Sequence, residues 1–451
     1  MVEQRFCKAK VLGSNPRGGS IKNIPWIRGI FNGAFSDILV TIMGKDTVLK
    51  FPKGFFWGAS TSSFQVEGGI TGTDWESAAE KGLVPKIGKA ADHYNRYYQD
   101  FDIAKSLGHN AHRFSIEWSR IEPEEGKFNH NEIEHYRNVI KALRARNIEP
   151  FITLWHFTLP LWFSETGGFE RKDAPEIFAR YCSFVVDSLS NICTHFSTIN
   201  EPNVFASHGW LYGAWPPFKR GKFLWIKFGK PDGTWKSAQT LSFSNTLMYF
   251  KVTNNLVRAH NESYVAIKKT SPQVNVSVAK HVHAFDSNWN PFNKILAKIA
   301  AYLQSGRFMN GIRGHFDSIG LNYYRYTKFG DREVYPKSDM GWNVNPEKIE
   351  LALKYLARYK KPIFISEAGV ADALDKIRAE YIKKQVEGTW RALQTGVDVR
   401  GHMYWSLLDN YELALGYEKR FGLVEINYET LERKIRPSAF VYKQIAENNG
   451  L

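Results

Sequence analysis

At 451 residues the chain can bury a large core without disulfides or metals, and its net charge of +15 first raises nucleic acid as a partner. No helix-turn-helix pattern, zinc-finger spacing or RNP-like run accompanies that charge, so a basic enzyme with no nucleic-acid partner is the expectation. The three cysteines, Cys7, Cys182 and Cys193, lack regular spacing, which excludes a disulfide framework and favours a reducing, cytoplasmic compartment.

Residues 1–42 are basic and Gly-rich, and the mildly apolar stretch Ile24–Met43 is interrupted by Arg28 and Asp37. It makes a poor membrane span and lacks the compact apolar run of a signal peptide. The stretch 1–42 reads as a flexible extension or an over-long start, with one domain over 43–451.

From residue 51 onward strand-like and helix-like segments alternate. The first pair is Phe55–Thr61 and a helix over His93–Leu107; the second is Ala111–Trp118 and Asn129–Arg146, with helical spacing at Ile133, Tyr136, Ile140 and Leu143. Strand Pro150–His156 precedes helix Ala174–Cys193, which carries Cys182 and Cys193 about 16 Å apart, too far to bridge. Strand His195–Asn200 leads to a largely helical segment near Gln239–Lys269, and Val274–His281 to helix Asn293–Gln304. Ser318–Tyr323 pairs with helix Pro346–Tyr359, Pro362–Glu367 with Leu374–Gln394, and Val399–Leu407 with Pro437–Asn448. Eight unbroken strand–helix units predict a single α/β (β/α)8 TIM barrel, not an open doubly wound sheet, and no G-x-G-x-x-G follows a strand. The long irregular stretches Gly68–Ala91, Trp215–Trp235 and Phe421–Ile435 are expected as active-site loops at the strand C-terminal face.

Polar residues gather at those strand ends: His156, Asn200 with Glu201, Asn322 with Tyr324, Glu367 and Trp405. One glutamate after an apolar strand would be read as a surface residue. Two, on the fourth and seventh strands, suit cleavage of a glycosidic bond, where one carboxyl protonates the leaving oxygen and the other stabilises or attacks the oxocarbenium-like centre. A separation of about 5–5.5 Å would mean retention and about 6.5–9.5 Å inversion.

Seven ordered motifs then carry a resemblance. F-P-K-G-F-F-W-G-A-S-T-S-S-F-Q-V-E-G (Phe51–Gly68), H-R-F-S-I-E-W-S-R (His112–Arg120), T-I-N-E-P-N (Thr198–Asn203), G-L-N-Y-Y (Gly320–Tyr324), I-S-E-A-G (Ile365–Gly369), Y-W-S-L-L-D-N-Y-E (Tyr404–Glu412) and R-F-G-L-V-E (Arg420–Glu425) are similar to the signatures of family-1 glycoside hydrolases, the β-glucosidase family. The resemblance implies a retaining exo-β-glycosidase acting by double displacement without a cofactor or metal. Glu201 would be the acid/base and Glu367 the nucleophile, oriented by Arg113 and Tyr324. Gln65, His156, Asn200, Asn322, Trp405 and Glu412 would bind the sugar, Asn200 at its 2-hydroxyl and Trp405 beneath its ring. Glu412 argues against phosphorylated sugars, because a carboxylate repels phosphate. Glu201 argues against a myrosinase-like enzyme, which lacks that carboxyl.

Three departures from the family pattern stand out. Ser366 and Ala368 flank the nucleophile where Thr and Asn are usual, Leu413 replaces a Trp, and Phe157 stands where Trp-Asp often follows the histidine. Glucoside is the first expectation, with galactoside, fucoside and mannoside left open. Transglycosylation on the same site, and a degenerate glycan- or lipid-binding barrel, are the alternatives.

Two weaker features complete the reading. His281 and His283, two apart, could chelate a metal, but without a third ligand they read as polar barrel lining. Phe218–Lys230, F-K-R-G-K-F-L-W-I-K-F-G-K, interleaves aromatics with Lys and Arg. It reads as a solvated loop, an aglycone platform or a peripheral contact with anionic membrane. Nothing in the sequence sets the number of subunits.

Overall fold

The computed structural model describes residues 49–219, 243–331 and 334–451. The expected extension over 1–42, and Phe218–Lys230 from position 220 onward, lie outside the described residues.

Eight parallel strands close into a barrel: β1 (Phe56–Ser60), β2 (Ala111–Ser115), β3 (Glu149–Trp155), β4 (His195–Asn200), β5 (Asn275–His281), β6 (Ser318–Tyr323), β7 (Ile363–Ala368) and β8 (Val399–Trp405). They run in sequence order around the ring, and β1 closes it by pairing with both β2 and β8. The intervening helices are α1 (His93–Ser106), α2 (His130–Arg144), α3 (Ala174–Leu189), α4 (Phe243–Thr270), α5 (Pro291–Ala301), α6 (Ile349–Leu356), α7 (Arg378–Gln394) and α8 (Pro437–Asn448).

The strands carry little polar alternation because both faces are covered. Every residue of β2, β6 and β7 is buried. On the outer face His112 of β2 packs edge-on against Phe101 of α1, ring centroids 5.2 Å apart. Helix α2 buries Ile133, Tyr136, Ile140 and Leu143, the stripe its spacing predicts, and the Asn129 side chain accepts the N–H groups of Asn131 and Glu132 at its start. Inside, Phe56, Ala111, Phe151, Phe364 and Met403 fill the barrel floor, so the lumen is packed rather than a pore.

Several boundaries differ from expectation for local reasons. Helix α3 ends at Leu189, so Cys193 lies beyond it; both thiols are buried and free. Helix α7 starts at Arg378 rather than Leu374, because the Asp372 carboxylate accepts the N–H groups of Ile377 and Arg378 and holds the preceding turn off the helix. Helix α5 opens into a π turn over Tyr302–Gly306, where Lys280 Nζ donates to the Gln304 carbonyl at 3.0 Å. Two of the expected irregular stretches contain regular structure: a helix over Asp74–Glu80, and an antiparallel pair of Val424–Ile426 with Arg433–Ile435. A parallel pair, Ala284–Ser287 with Tyr326–Phe329, extends the rim beyond β5 and β6.

Two ladder slips position the site. Between β4 and β5 the register shifts between Ser197 and Asn200. Along β7, Ile365 faces Leu321 of β6 while Glu367, two residues on, faces the very next residue, Asn322. Against β8, Ile365 faces His402 and Ala368 faces Tyr404, so β7 again carries one extra residue. Strict alternation would send Ser366 and Glu367 to opposite faces. The bulge brings both to the lumen side.

Candidate active site

Arg113, on the inner face of β2, is the fixed point of the lumen network. It is 2 % exposed and has only donors to offer. Its Nε donates to Thr153 Oγ1 at 2.9 Å, its Nη2 to Asn200 Oδ1 at 2.7 Å, and its Nη1 to Glu367 Oε1 in a buried ion pair. Tyr324 donates to the other Glu367 oxygen at 2.9 Å.

A donor-only residue dictates the orientation of each amide beyond it. With Asn200 Oδ1 turned to Arg113, Asn200 Nδ2 faces His156 Nε2 at 3.2 Å. His156 Nε2 is then an acceptor and Nδ1 carries the hydrogen. That Nδ1 is buried and has no partner. Burial, then the charge of Arg113, holds this imidazole well below its usual value, so it is neutral. Its ring lies parallel to the Trp405 indole with centroids 5.8 Å apart.

Glu201 follows β4 directly. Its N–H extends the ladder to the Ala279 carbonyl at 2.8 Å, and its φ of 44° turns the chain into the short helix begun by Pro202. Glu201 Oε1 accepts from Asn322 Nδ2 at 2.9 Å, and the same Nδ2 lies 3.1 Å from Asn200 Oδ1. Glu201, Asn322, Asn200, Arg113 and Glu367 therefore form one continuous chain across the barrel mouth. Burial, then the negative charge of Glu367, pushes the Glu201 carboxyl up to about 8. Burial also raises Glu367, but the Arg113 guanidinium and the Tyr324 hydroxyl oppose it there. Glu367 thus has a guanidinium and a hydroxyl bonded directly to its carboxylate, whereas Glu201 accepts only from the Asn322 amide.

Hydrogen bonds and the His156–Trp405 ring contact join nine of the ten residues singled out from the sequence, and Gln65 bonds to none of those nine. Both Nε2 hydrogens of Gln65 are committed inside the protein, to Asn410 Oδ1 and the Tyr411 carbonyl, each at 2.9 Å, and its Oε1 accepts from Ser62 at 2.7 Å. Asn322, expected against substrate, joins Glu201 to Asn200 and accepts from Ser366 Oγ at 2.7 Å. Glu412 is half-buried, accepts from Trp405 Nε1 at 3.3 Å, and is pushed up to about 8, chiefly by burial.

Sequence reasoning missed Thr153, the hydroxyl that accepts from Arg113 Nε, and Lys280, a fully buried lysine on β5. No motif marks either residue. Leu413 and Phe157 are both buried with left-handed backbone, φ 49° and 76°. An indole does stand beside Phe157: the Trp215 ring, 4.9 Å away. His281 Nδ1 accepts from Gln304 at 3.0 Å, and His283 Nε2 is 2.8 Å from Thr327 Oγ1. Among the described residues no group of three His, Cys, Asp or Glu could hold a metal ion, and no helix is long and apolar enough to cross a membrane.

Comparison with known proteins agrees with this geometry. A β-glycosidase from Pyrococcus horikoshii superposes with a TM-score of 0.79 at 34 % identity, covering 90 % of this chain and 96 % of that one. A β-glucosidase from Thermotoga maritima in complex with glucoimidazole gives 0.78 at 29 % identity, over 90 % and 100 %. In sequence, a 1,4-beta-D-glucan glucohydrolase from Thermotoga neapolitana is 32 % identical over 89 % of this chain and 99 % of its own length. A β-galactosidase from Sulfolobus acidocaldarius is 30 % identical over 90 % and 96 %. The model of glycosyl hydrolase family 1 matches residues 48–328 and 313–451. The chain belongs to glycosyl hydrolase family 1 and is an O-glycosyl hydrolase on a (β/α)8 barrel.

Proposed function

We propose that this retaining exo-β-glycosidase removes terminal non-reducing β-D-glycosyl residues, β-glucosides first, with Glu367 as nucleophile and Glu201 as acid/base. Glu367 attacks the anomeric carbon while Glu201 protonates the departing oxygen; Glu201 then takes a proton from water, which releases the sugar as the β-anomer. The observation that carries this reading is the asymmetry of the two carboxyls. Glu367 is paired to Arg113 and Tyr324, which suits a nucleophile kept ionised. Glu201, pushed up to about 8, suits an acid that holds its proton at neutral pH. Asn200, His156, Trp405 and Glu412, which contact one another in that order, line the sugar position. Gln65 contributes only the remaining acceptor capacity of its Oε1.

The preference for glucosides draws on relatives named as glucosidases and galactosidases. Leu413 and Phe157 keep galactosides, fucosides and mannosides in the substrate panel. Turnover of nitrophenyl β-glycosides with product anomers followed by NMR tests both points: β-product first supports retention, and early α-product overturns it. Sugar-to-sugar transfer outrunning hydrolysis at modest substrate concentration would favour the transglycosylase reading. The catalytic pair is tested by Glu201→Ala, which should spare activated aryl glycosides far more than alkyl ones, and by Glu367→Gly, which should transfer from an α-glycosyl fluoride without hydrolysing β-glycosides. Equal loss of aryl and alkyl turnover in Glu201→Ala would sink the acid/base role.

A second reading concerns location. A cytoplasmic enzyme is supported by the two free buried thiols, Cys182 and Cys193. Peripheral contact with anionic lipid, read from Phe218–Lys230, is supported elsewhere by α5. Trp289 is 83 % exposed and Phe292 65 %, and Ile295, Ile299, Tyr302 and Leu303 continue that outward stripe. Lys294 and Lys298 flank it, and no Asp or Glu occurs between Asp286 and Asp317. An apolar stripe beside lysines suits an interface that is apolar below and anionic above. Co-sedimentation with phosphatidylglycerol vesicles, weakened by salt and by Phe292→Ser with Ile299→Ser, supports this reading. Absence of co-sedimentation at low salt, or self-association abolished by the same substitutions, overturns it.

A further inference from the structure

Asn322 holds the acid/base, and something must hold Asn322. Its side chain is fully buried, with Nδ2 serving Glu201 Oε1 at 2.9 Å and Asn200 Oδ1 at 3.1 Å. Its Oδ1 accepts from the Ser366 hydroxyl at 2.7 Å. Ser366 is the residue beside Glu367 in the bulge of β7, and it lines the lumen with Arg113, Ser197 and Gly320. Gly320 leaves the hydroxyl its space: a Cβ there would stand 2.7 Å from Ser366 Oγ and 3.1 Å from the Ala279 Cα. The hydroxyl is thus confined between two strands, 2.7 Å from one acceptor.

We propose that Ser366 is a positioning residue for the acid/base: its hydroxyl closes the hydrogen-bond chain begun at Arg113 and keeps the Asn322 amide donating to Glu201. The inference rests on the assignment of Glu201 as acid/base. Arg113 sets the polarity, since it can only donate, so Asn200 Oδ1 must receive and Asn322 Nδ2 must give. That leaves Asn322 Oδ1 buried and in need of a donor, which Ser366 supplies. Without the hydroxyl, the buried oxygen keeps a desolvation cost that rotation of the amide relieves, and rotation withdraws Nδ2 from Glu201. A hydrogen bond given to a carboxylate favours its ionised form, so losing it makes Glu201 a weaker and less well-aimed acid. The other charged or titratable groups facing Glu201 are Glu367 of β7, Arg113 of β2, Lys280 of β5 and Tyr324 after β6. Substitution at position 366 removes none of them.

The test is the pH dependence of kcat/KM in the full chain. Ser366→Ala should move the alkaline limb up by about half to one pH unit, lower kcat/KM about tenfold for poor leaving groups and less for dinitrophenyl glycosides, and leave KM near its wild-type value. Ser366→Thr keeps the hydroxyl and should restore the wild-type limb. Should Ser366→Ala not fold, Ser366→Cys, with a weaker donor of similar bulk, should give an intermediate upward shift. An unmoved limb in Ser366→Ala or Ser366→Cys, alongside its disappearance in Glu201→Ala, overturns the role of Ser366 and leaves Glu201 standing. An alkaline limb that survives in Glu201→Ala overturns the acid/base assignment itself, and the role of Ser366 with it.

Discussion

Two clusters of buried carboxyls lie at the same end of this barrel, and they differ in how their partners are joined. Behind β1 to β3, Glu67 pairs with Arg120 and Tyr136, each at 2.9 Å, and Asp74 Oδ1 accepts the N–H groups of Trp75 and Leu159 at 3.0 and 2.9 Å. Glu117 accepts the hydroxyls of Ser63 at 3.1 Å, Ser119 at 3.0 Å and Thr158 at 2.9 Å. Across the lumen stand Glu201 and Glu367. Burial pushes Glu117 up to about 7 and Asp74 up to about 8, as it pushes Glu201 up to about 8. A displaced carboxyl therefore does not by itself identify a catalytic group. The lumen differs because its two carboxyls are joined through Asn322, Asn200 and Arg113 in one hydrogen-bond chain, beside the parallel rings of His156 and Trp405, while Glu67, Asp74 and Glu117 are each held by donors from neighbouring loops and helices.

Paired substitutions are the sharpest way to break this contrast. Glu367→Ala should lower kcat by on the order of 10^4-fold or more in a protein that still folds. Glu117→Ala should do the reverse, costing about 1–3 kcal/mol of stability by stranding three buried hydroxyls and leaving kcat within about threefold. A folded Glu117→Ala protein that has lost turnover would erase the distinction between the clusters. Next in size, His156→Ala should lower kcat/KM about 10- to 100-fold, roughly 1.4–2.7 kcal/mol at the transition state. A change below twofold would mean that its ring meets no sugar hydroxyl.

The pH axis separates the clusters in another way. In the acid/base role proposed for it Glu201 must be protonated, so kcat/KM should fall as pH rises through about 8. For Glu117 the folded value of about 7 lies above its ordinary 4.5, so the neutral form is favoured by folding. Its contribution to stability is full below about 4.5 and lost as pH rises through about 7. Melting curves of Glu117→Gln should lose that decline while the activity limb stays where it is; a shifted activity limb would show that the clusters are coupled. The smallest effect is expected from Leu413→Trp. An indole beside Glu412 should lower KM for β-glucosides a few-fold with kcat unchanged, an amount in keeping with one hydrogen bond of about 1 kcal/mol. An unchanged KM across the sugar panel would place position 413 away from the sugar.

Much of this molecule is legible in its amino-acid order. The eight strand–helix alternations, the burial stripe of α2 and the chemical residues at strand ends are local patterns, set by periodicities that a chain carries in itself. The motifs around Glu201 and Glu367 marked the chemistry for the same reason, since each is a short run at a strand terminus. The boundaries that moved are those decided by a distant or unmarked partner: Asp372 at the start of α7, and Lys280 reaching from β5 into the π turn after α5.

What only the tertiary structure decided is which groups share a hydrogen bond. The bulge in β7 depends on pairing with β6 and β8 at once, and no window of sequence contains all three strands. It places Ser366 and Glu367 on one side, against the period of two that the strand pattern alone implies. The donors of Gln65 are likewise spent on Asn410 and Tyr411, more than three hundred residues away in the chain. Sequence singled out the two candidate carboxyls because covalent order carries residue type. Their protonation and orientation rest on Arg113, a donor-only group whose partners come from three other strands, and only the closed barrel brings those together.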